Sequence, residues 1–276
     1  MAARGKPKVQ KQKRVKGSKT LSKNPNHIPL GKNRVNTEKK KKKNKKIPKA
    51  DGDSKAPVLL AATQQLQFFL DRFQSANGIK LSSLELEGFK DTCIVDLSQD
   101  LTQDASNLSK HLKATFGMSW KETLYEGQVL EGKVVAGSPS VLVISTSALR
   151  SLELLRGLRS LTRECRAVKL FAKHMKVEDQ VSLLKGRVNI ASGTPSRIKK
   201  LIDMDALGLS RLAVVVLDMH TDAKGYSLFT LPQVSGEFWD LHRSYFHQLL
   251  LEGNLRLCLY GPIGGIELKN AVPSDE

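Results

Sequence analysis

The chain has 276 residues and a net charge of +18, and nearly all of that excess lies at one end. Residues 1–55 hold 20 Lys+Arg against 3 Asp+Glu, while the other 221 hold 25 against 24 and are electrically ordinary. The opening "MAARGKPKVQKQKR" lacks the apolar core of a secretory signal, no apolar run approaches the roughly 18 residues of a membrane span, and Cys93, Cys165 and Cys258 form no Cys-x-x-Cys pair. The cysteines read as reduced thiols of a cytosolic or nuclear protein, with no zinc ribbon.

Residues 1–56 form the first predicted segment, a disordered arm. It is rich in Lys, Asn, Gly and Pro, so it buries too little apolar surface to offset its ordering entropy. Its densest stretch, Lys39, Lys40, Lys41, Lys42, Lys43, Lys45 and Lys46, puts seven lysines within eight positions. Such clusters bind polyanions by releasing counterions, and they double as nuclear or nucleolar targeting signals. With few aromatics for stacking, the arm is expected to hold nucleic acid without sequence preference.

After Pro57 the texture becomes that of a folded domain, expected to run from 57 to 276. "PVLLAATQQLQFFLDRFQSANG" places Leu59, Leu66, Phe69, Leu70 and Phe73 at helical spacing, and Gly78 ends this surface helix. "DTCIVDL" (91–97) is a predicted short strand, and a helix with Leu108, Leu112 and Phe116 on one face follows. Then strands and helices alternate. "SVLVIS", "AVKLFA", "RVNIAS", "RLAVVVLD" and "LRLCLY" are strands; "ALRSLELLRGLRSL", "KVEDQVSLLKG", "PSRIKKLIDM" and "EFWDLHRSYFHQLLL" are the helices between them. Apolar strands without polar alternation, separated by helices, imply an α/β fold with a parallel sheet sandwiched by helices.

Such a sheet binds ligands at the carboxyl ends of its strands. The tips here read "TSALRS", "GTPSRIKKL" and "DMHTDA", and together they resemble the first RecA-like domain of DEAD-box RNA helicases, best over residues 141–225. In "GTPSR", Thr194 is expected to cap a helix, Pro195 to start it, and Arg197 to lie exposed in its first turn. Free amides at a helix start make a phosphate site, and the equivalent helicase element grips RNA backbone. Ser145 to Leu149 stand where helicases have "PTREL". Thr146 is kept there, and Arg150 can replace the missing arginine. The resemblance therefore implies nucleic-acid contacts at Thr146, Arg150, Thr194 and Arg197.

The ATPase parts do not follow. Phosphoryl transfer needs a glycine-rich loop with its lysine, a hydroxyl on magnesium, and an acid pair. "GQVLEGKV", Gly127 to Val134, satisfies G-x-x-x-x-G-K but puts Val134 in place of the hydroxyl. Only seven residues then separate Lys133 from the strand at Val141, too few for a helix. At the other tip Asp218 survives, but Met219 replaces the water-handling glutamate and Thr221 the last acid. Too little sequence follows Ile263 for a second RecA-like domain, so the expectation is a single degenerate one, with no catalytic residue, no cofactor and no metal.

The remaining candidates are weak. His242 and His247, five apart, diverge around an α-helix and read as surface or interface groups, and His174 and His220 as isolated polar groups near strand tips. Phe238, Trp239, Tyr245 and Phe246 read as core. No G-x-S-x-G elbow occurs.

A lysine-rich arm joined to one degenerate RecA-like domain is similar to the Cms-one family, subunits of the U-three snoRNA-containing pre-ribosome or small-subunit processome. The similarity covers about 57–265 plus the style of the tail. It implies a non-enzymatic assembly factor of the nucleus and nucleolus, associated with pre-ribosomal RNA or snoRNA and with pre-ribosomal proteins, away from membranes. Two alternatives stand beside it: an RNA-dependent ATPase with an atypical site, and a chromatin-associated nuclear protein whose arm prefers DNA.

Overall fold

Five short apolar runs pair into one sheet: β1 (Val141–Ile144), β2 (Val168–Leu170), β3 (Ile190–Gly193), β4 (Val214–Asp218) and β5 (Arg256–Tyr260). Every pairing is parallel, and the order is β2-β3-β1-β4-β5. These features come from a computed structural model that describes residues 60–121, 136–162 and 167–263. The arm, with Lys39 to Lys46, and the string Gly127 to Val134 lie outside the described residues, as does Cys165.

Side chains alternate across the strands and so feed two cores. Leu142, Ile144, Val215, Leu217, Leu257 and Leu259 face one side, where they pack with α1 (Ala62–Asn77), α6 (Pro195–Asp203) and α7 (Pro232–Leu241). Val141, Val143, Val214, Val216, Cys258 and Tyr260 face the other, against α3 (Leu108–Phe116) and α4 (Ala148–Gly157). Three short helices complete the described set: α2 (Ser83–Glu87), α5 (Val177–Leu184) and α8 (His247–Leu251). Cys93 and Cys258 are unpaired and buried, and burial pushes the Cys258 thiol up to about 12.

The expected first helix is α1. It buries Leu66, Phe69, Leu70 and Phe73, and Gly78 ends it in the left-handed region at φ 62°, its N–H bonded to Gln74 O. "DTCIVDL" is not a full strand. Asp91–Cys93 forms a 3-10 turn, and only Ile94 bridges to Leu257, with Val95 N–H donating to Leu257 O at 2.7 Å. The apolar run between polar Thr92 and exposed Asp96 is too short for a longer ladder. β3 also starts later than "RVNIAS" suggests and ends on Gly193. A Cβ there would lie 1.9 Å from Leu170 O, so the glycine permits close approach of β2 and β3.

The largest departure lies after α7. Residues His242–Phe246 form a π turn, with His247 N–H bonded to His242 O. This wider turn brings positions five apart onto one side, where an α-helix would separate them. His242 is therefore buried, not a surface group, and its ring centroid lies 5.7 Å from that of His247. Phe69 and Phe73 of α1 pack edge-on against His242 at 5.1 and 5.2 Å. Phe238, Trp239 and Phe246 are core, as expected, whereas Tyr245 is only partly buried and its hydroxyl donates to Asp203.

Neither ring nitrogen of His242 has a hydrogen-bond partner, and burial, then His247, holds its pKa down to about 3. An unfolded imidazole takes up a proton near pH 6.5, while the folded one resists until about 3. Stability should therefore be full above pH 6.5 and fall as pH drops toward 3, with a slope approaching ~1.4 kcal/mol per pH unit from this residue. His242→Phe should flatten that slope and stabilise the fold by about 1 kcal/mol at pH 7, since two unpaired buried nitrogens disappear. Urea denaturation of both proteins at pH 7 and pH 5 measures this; equal pH dependence would contradict it.

Candidate strand-tip site

The carboxyl ends of the strands bring together three of the segments that the sequence marks. At the tip of β4, Asp218 is 1% exposed. Its carboxylate faces Arg150, from the first turn of α4 beyond β1. Arg150 Nε donates to Asp218 Oδ2 at 2.8 Å and Nη2 to Oδ1 at 3.1 Å, a bidentate pair. Glu153 holds Nη1 at 3.0 Å. Burial opposes the charge of Arg150, but the bonds and charges of Asp218 and Glu153 outweigh it and raise the guanidinium's pKa.

Why the arginine points there follows from its neighbours. Ser147 caps α4 by accepting the Arg150 N–H at 3.3 Å, which fixes the first turn above β1. β1 and β4 pair directly, Ile144 beside Leu217, so the two tips are adjacent. His220 completes the cluster: its Nδ1 lies 2.9 Å from both Asp218 Oδ1 and Arg150 Nη2, within hydrogen-bond reach of each. His220 is thus not isolated. Gly261, at φ 120°, makes room for it, since a Cβ there would lie 2.5 Å from His220 Nδ1.

Asp218 is therefore already neutralised by a cation of the same chain. Met219, beside it, is 3% exposed and packs into the core, away from any water that Asp218 might face. Thr221 is exposed.

A second closure lies at the β5 edge. Ile94 bridges in parallel to β5, and loop 98–107, "SQDLTQDASN", leads from there into α3. Here a single bridging residue is followed by a loop and a helix. The loop lies some thirty residues before the string Gly127 to Val134, and its sequence has no glycine and no lysine. Asp104 Oδ1 accepts the amides of Ser106 and Asn107 at 2.9 and 3.1 Å and the Ser106 hydroxyl at 2.5 Å. Its Oδ2 accepts the Thr102 hydroxyl at 2.6 Å. The Ser106 and Thr102 hydroxyls hold the Asp104 carboxyl down to about 2. An internal anion thus takes these two amides. Tyr260 O–H donates to Asp104 O, and Gly261 N–H to Gln103 Oε1, both at 2.6 Å, which ties the loop to β5. Between this loop and His220 lies a cavity of about 550 Å³, lined by Gln65, Leu259 and Pro262 among others.

The "GTPSR" element is placed as expected but works differently. Thr194 is the N-cap residue of α6 and Pro195 its first residue, yet the Thr194 hydroxyl makes no capping hydrogen bond. Arg197 is partly buried, not fully exposed. Its Nη1 donates to Gln180 Oε1 at 2.6 Å and to Met175 O at 3.4 Å. Gln180, fully buried in α5, turns its amide on the outer edge of β2 and donates to Lys169 O and Phe171 O at 2.9 and 3.0 Å. Arg197 thus braces the edge of the sheet. Thr146 lies partly exposed at the tip of β1. Among the sequence-marked residues at the strand tips, Arg150, Asp218 and His220 are brought into contact. The signal for the Arg150–Asp218 pair was present, since opposite charges ended two strands, but nothing in the sequence fixed β1 next to β4.

Fold and site together define a parallel α/β domain whose strand-tip acid is closed by an internal ion pair. The family comparison is specific: residues 3–260 match the CMS1 family, described as U3-containing 90S pre-ribosomal complex subunit, and the chain belongs to that family. It is 30% identical over 253 residues to Protein CMSS1 of Xenopus laevis, covering 84% of this chain and 86% of that one. With Protein CMSS1 of Homo sapiens it shares 30% identity over 226 residues, 81% of this chain and 76% of the relative. A DEAD box protein from Methanococcus jannaschii of known crystal structure is 14% identical, with a TM-score of 0.31 over 54% of this chain and 38% of its own.

Arg150→Ala would leave a carboxylate that is 1% exposed without its counter-charge. Such a change is expected to cost about 3–5 kcal/mol, and pairing Arg150→Met with Asp218→Leu should recover most of it. Urea denaturation reads both. A single-variant cost below about 1 kcal/mol would show that the pair is not desolvated.

Proposed function

We propose that this chain is a non-enzymatic, RNA-associated assembly factor of small-subunit biogenesis in the nucleolus, a scaffold on the plan of a helicase domain that no longer cycles. The observation that carries the reading is the bidentate Arg150–Asp218 pair: a magnesium ion would have to displace a guanidinium held in a bidentate bond. The Asp104 carboxylate on the amides before α3 supports it from the other side of the site. The description of the family as a pre-ribosomal complex subunit supports the pathway.

In this reading the arm, residues 1–56, supplies most of the RNA affinity through Lys39, Lys40, Lys41, Lys42, Lys43, Lys45 and Lys46. The domain, residues 57–276, adds orientation. Thr146, Thr194 and the first amides of α6 remain its phosphate contacts, and Arg197 can join them because only its Nη1 is engaged. Arg150 is the weaker contact, since Asp218 and Glu153 hold it. Phosphate contacts of this kind position an RNA without reading its sequence.

Deleting residues 1–55 tests the division of labour. The truncated chain should lose nucleolar enrichment and most of its RNA affinity, and the dependence of log K on log salt should flatten sharply, since about 0.7 of a counterion is released per single-strand phosphate neutralised. Filter binding of a single-stranded RNA at several salt concentrations, with fluorescence imaging in cells, measures both. Equal affinity and equal salt slope for the two proteins would reduce the arm to a solubiliser.

A further inference from the structure

A second cavity, of about 590 Å³, opens between the end of α1 and the start of α7 and shares no lining residue with the strand-tip site. Its charged lining residues are Arg72 from α1 and Asp240 and Arg243 from α7 and the π turn, one net positive charge. The Arg72 guanidinium lies over the Phe68 ring at 5.2 Å, which holds it in place, and Arg243 Nη2 donates to Asp240 Oδ1 at 3.4 Å. α7 begins here at Pro232, with no side-chain cap and no acid in its first turn, so its amide dipole adds to the positive side.

Two further observations point to a ligand. Trp239, which lines the cavity and is 3% exposed, has an indole Nε1–H without an acceptor. A buried donor left unpaired costs about 1–3 kcal/mol, and an incoming acceptor would recover it. Gly236, exposed in mid-helix where alanine would be favoured by about 1 kcal/mol, leaves open space where a Cβ would sit, so another backbone can approach α7 closely. The π turn that supplies Arg243 is of a kind that recurs at functional sites.

We infer that this cavity receives an acidic side chain, with its flanking backbone, from a partner protein. One net positive charge matches one carboxylate and falls far short of what a polyphosphate chain requires. Phe229 and Trp239 are 8% and 3% exposed and offer no open face on which an RNA base could stack. The carboxylate pairs with Arg72 and Arg243, and an acceptor of the partner's backbone or side chain meets the Trp239 indole.

The test uses the full chain in cells, with a photo-crosslinking residue at exposed position 233, at the start of α7. Crosslinked peptides should come from another protein, carry Asp or Glu at the crosslinked site, and fall at least tenfold in the Arg72→Glu, Arg243→Glu double variant. The Arg72→Lys, Arg243→Lys pair should retain most of the yield. Crosslinks to RNA, crosslinks within this chain, crosslinks indifferent to the charge reversal, or none at all would each overturn the inference. The charge reversal at Arg72 and Arg243 leaves the arm intact and should leave RNA affinity and its salt slope unchanged, so the two readings fail separately.

Discussion

The contact between Arg150 and Asp218 governs what the rest of the sheet can do. Four apolar residues of β4 deliver a carboxylate to a place where water hardly reaches, and a buried carboxylate must find either a cation or a proton. A metal ion or a side chain can meet that need. Here the cation is covalently part of the fold, pre-positioned by the Ser147 cap, and it meets the carboxylate through two bonds at once. The consequence is structural: the pair ties the junction between β1 and β4.

The same substitution of internal for external partners recurs around the sheet. Asp104 gives the amides before α3 an anion from within the chain, and Gln180 gives the open edge of β2 a donor from α5. Arg197 holds Gln180 in its turn. Asp218, the Ser106 and Asn107 amides and the outer edge of β2 are thus satisfied from within the chain.

The fold was largely legible because continuous apolar strands such as "VLVI" and "VVVLD" have few places to go except a sheet covered on both faces. The helices were legible for the same reason, through Phe69 and Phe73 of α1 or Leu108 and Leu112 of α3. Local rules failed where a non-local contact decided the outcome. Nothing in "HRSYFH" announces a π turn; it forms as the segment packs with Phe69 and Phe73, 169 or more residues away in sequence. The place of the loop at 98–107 beside the β5 tip is visible only once Ile94 is seen beside Leu257. For the site, residue types at strand tips gave the right neighbourhood but not the partners. Arg150 and Arg197 were both read as donors awaiting a phosphate, and both have internal acceptors.

The central claim is that Asp218 holds no metal-bound nucleotide because Arg150 already occupies it. Equilibrium titration of the full chain with a fluorescent ATP analogue, with and without magnesium, tests it directly when wild type is compared with folded Asp218→Asn. The basic arm will attract the triphosphate weakly, so the account predicts binding that fades with salt and is indifferent to magnesium and to the substitution. Stoichiometric, magnesium-dependent binding that Asp218→Asn abolishes would contradict it.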